Sequence, residues 1–78
     1  MDGSQFKEER IKITGIHEKV GVLIEKKDAD IASKTIEKAR VILDNLGEME
    51  LSEIQERSVF NMKITEKHLA IAIDKIKK

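Results

Sequence analysis

Residues 28–47 read DADIASKTIEKARVILDNLG, and within them Ala32, Ile36, Ala39, Leu43 and Leu46 recur at alternating spacings of four and three. A helix of 3.6 residues per turn brings those five side chains onto one face and leaves Lys34, Glu37, Lys38 and Asp44 off it. The flanks agree with the interior. Asp28 is placed to accept hydrogen bonds from the free amides of a first turn, and Asp30 suits the positive end of the helix dipole. Gly47 is expected to supply the left-handed residue that closes the helix. The spacing predicts a helix over 29–46.

Downstream, Ser52-Glu53-Ile54-Gln55 places a serine three residues before a glutamine, the pattern of a capping box, so a second helix is expected over 53–77. Val59, Met62, Leu69, Ile73 and Ile76 continue a seven-residue stripe along it, with Glu66 as its polar interruption, and Lys75, Lys77 and Lys78 complement its negative end. Ile64 and Ile71 fall off that stripe. The apolar face is therefore broad, and a third helix or a second chain is needed to cover it.

Upstream the pattern admits two readings. Phe6, Ile13, Ile16, Val20 and Leu23 fit a helix over 5–26, whereas Ile11, Val22 and Ile24 do not, and Gly15 and Gly21 weaken a helix. The alternative is an N-terminal β-hairpin pairing Arg10 to Ile16 with Val20 to Glu25. Its turn, His17-Glu18-Lys19, offers no glycine or asparagine where positive φ would be required, so the helix is preferred. The expected fold is all-α: one helical domain over 1–78, either a small antiparallel three-helix bundle or a helical hairpin that oligomerises.

Composition narrows the function. The 78 residues contain no cysteine and no proline, so neither disulfides nor thiolate metal sites support the fold, and a chain this short buries a thin core. Fifteen acidic residues balance fifteen basic ones, and Phe6 and Phe60 are the only aromatics. The field that draws proteins to polyanions is missing, as are the rings that stack on bases, so nucleic-acid binding is disfavoured. The helix expected over 29–46 carries Lys34, Lys38 and Arg40 but interleaves them with Asp30, Glu37 and Asp44, unlike a basic recognition helix of a phage or plasmid-type regulator. No apolar run approaches a membrane span, and the start lacks a secretory signal, so a cytoplasmic location is expected.

Candidate chemistry is sparse. His17 and His68 sit on different helices, next to stripe residues Ile16 and Leu69, and read as boundary side chains; no metal or cofactor is expected. Ser33, Thr35, Ser52, Ser58 and Thr65 fall in helical or capping contexts without the exposed turn a nucleophile needs, so the chain is not expected to be an enzyme. Glu66 and Glu9 interrupt apolar stripes and are expected at the rim, with packed stems and wet heads.

What remains is a surface for protein. The expected interaction face is Val59, Met62, Ile64, Leu69, Ile71, Ile73 and Ile76, an aliphatic stripe suited to a second copy of the chain, as a homodimer or larger, or to a partner helix. Charge is segregated in sequence, with Glu48, Glu50 and Glu53 at one bundle end and Lys26, Lys27 and Lys75 at the other, as antiparallel pairing or docking of a charged partner would use. The order of elements from Ile24-Glu25-Lys26-Lys27-Asp28 through Leu46-Gly47 into the last helix resembles the middle of flagellar export chaperones. Those are helical bundles that hold an unassembled subunit. The resemblance, over about 50 residues, implies a helical chaperone or adaptor for a secreted or assembling subunit, and carries over no site residue.

Overall fold

The computed structural model describes residues 2–77, in which three helices pack together: α1 (Gly3–Glu25), α2 (Ala29–Gly47) and α3 (Glu53–Lys77). Connections of a few residues make α2 antiparallel to both neighbours, and all three helix pairs are in contact. The molecule measures 40 × 17 × 15 Å, so its long axis is set by α3, whose 25 residues span about 37 Å at about 1.5 Å per residue.

Three carboxylate or hydroxyl caps start the helices. Asp2 accepts from the amide of Ser4 at 2.9 Å and its carbonyl accepts from Phe6, which begins α1 two residues earlier than the apolar stripe suggests. Asp28 accepts from the amide of Ile31 at 3.2 Å, as expected. At α3 the capping box is complete: the Gln55 amide donates to Ser52 Oγ at 3.2 Å and the Ser52 amide donates to Gln55 Oε1 at 3.1 Å.

The left-handed closure also departs from the sequence reading. Gly47 lies inside α2 with no positive φ, and the helix closes through tight turns from Glu48 to Asn45 and from Met49 to Leu46. The left-handed position is instead Lys27, φ 59°, one residue past the C-cap of α1. There the Lys27 amide donates to Ile24 and the Asp28 amide to Leu23, a Schellman closure that turns the chain straight into the Asp28 cap of α2.

The hairpin alternative for the first third is overturned: α1 is continuous through Gly15 and Gly21. Phe6, Ile13 and Val20 are buried along one side of α1, and Ile16 packs against them, whereas Ile11 and Val22 are exposed. Burial of that stripe outweighs the poor helix propensity of two glycines and several β-branched residues. The core has two halves. Phe6, Ile13, Ala39, Leu43, Leu46 and Val59 form one, Val20, Ala32, Ile36 and Ile73 the other, and Ile16 packs against both.

Candidate interaction surface

Helix α3 is amphipathic twice over. Its inner side sends Val59 and Ile73 into the core, with Met62 and Leu69 half-buried against it. These four, with half-buried Ile76, belong to the face expected from the sequence, and the chain's own α1 and α2 cover most of it. Ile64 and Ile71 remain outside, 39% and 45% exposed, and they are joined by Phe60 at 63%. Phe60 was not in the expected face; its spacing of four to Ile64 and eleven to Ile71 is the signal that places all three on one line of the helix.

That outer line continues in charged residues. Glu53 and Arg57 precede Phe60, Lys67 lies between Ile64 and Ile71, and Asp74 follows, all exposed. The positions 53, 57, 60, 64, 67, 71 and 74 alternate in steps of four and three, the spacing of a coiled-coil seam. Arg57 Nη2 stands 4.0 Å from Glu53 Oε1, an exposed pair that contributes little to holding either side chain.

The second feature is internal. His17 on α1 and Glu66 on α3, read from the sequence as boundary and rim residues, are both buried, at 9% and 8% exposure. Helix packing decided this: α1 and α3 run parallel, which brings the two positions to the same height between them. His17 Nε2 and Glu66 Oε1 lie 3.9 Å apart, too far for a hydrogen bond, and neither atom has a hydrogen-bond partner among the described residues. Burial lowers the His17 pKa below 6.5. Burial also raises that of Glu66 above 4.5; Arg40 and Lys63 oppose the rise, while Asp44 and Glu37 add to it. Glu9 does lie at the rim, its carboxylate 3.2 Å from Lys12 Nζ.

The other candidates serve the helices. Thr35 Oγ1 donates to the Ile31 carbonyl at 2.7 Å and Thr65 Oγ1 to that of Asn61 at 3.2 Å, while Ser52 caps α3. Ser33 and Ser58 are half-buried on helices, and His68 is exposed. Among the described residues no three His, Asp or Glu side chains converge as metal ligands, and no helix is long and apolar enough to cross a membrane. Glu48, Glu50 and Glu53 are exposed at the end holding the α2–α3 connection, and Lys26, Lys27 and Lys75 at the opposite end. No family model, no curated protein and no solved structure matches this chain.

Proposed function

We propose that this chain is a small, non-enzymatic protein-interaction or assembly module that works through the outer face of α3. The observation that carries the reading is the line of Phe60, Ile64 and Ile71, three large apolar side chains left in solvent on a helix whose opposite side already supplies the core. An apolar line of this kind, bordered by charged residues, fits the side of another helix. Holding an unassembled subunit, or adapting one protein to another, would use the same face. The surface gives less support to a nucleic-acid regulator: on α2, Arg40 stands 2.7 Å from Glu37, and Lys34 and Lys38 are interleaved with Asp30, Glu37 and Asp44.

The test is substitution on the face with the fold kept as a control. Ile64→Asp with Ile71→Asp should leave the far-UV helical signal and melting temperature nearly unchanged, because neither side chain belongs to the core, yet abolish association with itself or with any polypeptide the wild-type chain binds. Association that survives both substitutions sinks the reading.

A further inference from the structure

We propose that the occupant of the outer α3 face is a second copy of this chain, laid antiparallel in the register that sets Phe60 against the partner's Ile71; this rests on the interaction-module reading and names its partner. The argument is charge and register. In two-helix seams with steps of four and three, antiparallel helices pair alternate seam positions across the interface. Setting Phe60 against the partner's Ile71 also sets Ile64 against the partner's Lys67, and Arg57 against the partner's Asp74. The two-fold axis repeats each contact.

The three pairings of that arrangement are each compatible. The two layers at the two-fold axis are Ile64 with the partner's Lys67, whose stem covers Ile64 while its ammonium reaches water; Phe60 with Ile71 flanks them on either side, and opposite charges meet at both ends. Beside the seam, Glu56 and Lys77, both exposed, fall on the same flank at complementary heights.

The alternatives are worse for identifiable reasons. Parallel pairing in register would put Glu53, Arg57, Lys67 and Asp74 each against its own copy, four like-charge layers. Sliding the antiparallel pair one heptad in one direction sets Arg57 against the partner's Lys67. Sliding it the other way sets Ile64 against the partner's Asp74 and leaves Phe60 without an apolar counterpart. One register therefore places large apolar residues together and opposite charges together. A single helix pair lies below the roughly 1,200 Å² of stable standard interfaces, so a dissociation constant on the order of micromolar or weaker is expected.

Sedimentation equilibrium of the full chain from about 10 to about 500 µM brackets that range. The average mass should climb from the 8.9 kDa chain toward twice that value. Arg57→Asp alone, or Asp74→Arg alone, should weaken association by about fivefold or more, and the two together should restore it. Since the chain has no cysteine, Phe60→Cys and Ile71→Cys chains give a clean second readout. Mixed and oxidised, they should form the Phe60→Cys to Ile71→Cys disulfide in preference to either homodimer.

A preference for the Phe60→Cys homodimer overturns the antiparallel register, as does failure of the charge exchange to restore pairing in variants that remain helical. A monomer at every concentration overturns self-pairing but leaves the interaction module standing if Ile64→Asp still abolishes binding of another polypeptide. A dimer indifferent to Ile64→Asp and Ile71→Asp overturns both.

Discussion

Glu66 shows what one residue does when packing overrides its chemistry. A carboxylate oxygen without a hydrogen-bond partner inside a small bundle costs about 1–3 kcal/mol or more, because desolvation is not repaid. Glu66→Leu is therefore expected to raise stability at pH 7 by about 1–3 kcal/mol, read by urea denaturation. Linkage gives a second signature. The Glu66 pKa is raised by folding, so its contribution is fully present below pH 4.5 and is lost as pH rises through the folded value. The His17 pKa is lowered, so its contribution is fully present above pH 6.5 and is lost as pH falls through the folded value. Glu66→Leu should remove the first dependence and leave the second, and a lower stability of the variant at pH 7 would show that the pair is worth more than its desolvation. The sequence marked Glu66 as an interruption of an apolar stripe, but only the arrival of His17 from another helix made the site a buried pair.

Among the elements, α1 was the least legible and α2 the most. In α2 the apolar stripe, the Asp28 cap and the helical period all favour one structure, and the expected span of 29–46 falls one residue short of the observed end. In α1, glycines and β-branched residues argue locally for something else, and the stripe becomes decisive only once two partner helices cover it. Closure was misassigned for a related reason: glycine favours the left-handed position, yet Gly47 is helical and Lys27 adopts φ 59° because the three-residue link to α2 demands it. A side chain there is strained by about 1–2 kcal/mol relative to its helical conformation. Lys27→Gly should accordingly stabilise the fold by about 0.5–1 kcal/mol after the added freedom of the unfolded chain is subtracted, visible as a higher urea midpoint at unchanged slope. Gly47→Ala should be tolerated, since the new methyl would meet only Lys63 Nζ at an ordinary 3.6 Å.

At the scale of the whole molecule the core is thin, and each half depends on a few aliphatic side chains. Leu43, 1% exposed, sits where α1, α2 and α3 converge in the half that includes Phe6 and Val59. Leu43→Ala should cost about 2–5 kcal/mol, which approaches the total of about 3–5 kcal/mol available to a bundle of this size. The variant is expected to be largely unfolded near physiological temperature by circular dichroism, while Ile11→Ala, on the solvent side of α1, should stay within about 0.5 kcal/mol of wild type. Equal effects of the two would mean that the halves are not packed as described.

By itself the sequence determined the helical class, the spans of α2 and α3, two of the three N-caps and the balance of charge, because these follow from period, cap chemistry and composition along one chain. Tertiary structure decided which of two apolar faces of α3 is core and which is free, since both have helical spacing and only the covering helices distinguish them. It decided the burial of His17 and Glu66, whose proximity spans 49 positions of sequence and depends on α1 and α3 running parallel. It also decided that Lys27 turns left-handed, because the angle between two packed helices, and no local preference of lysine, sets the backbone there.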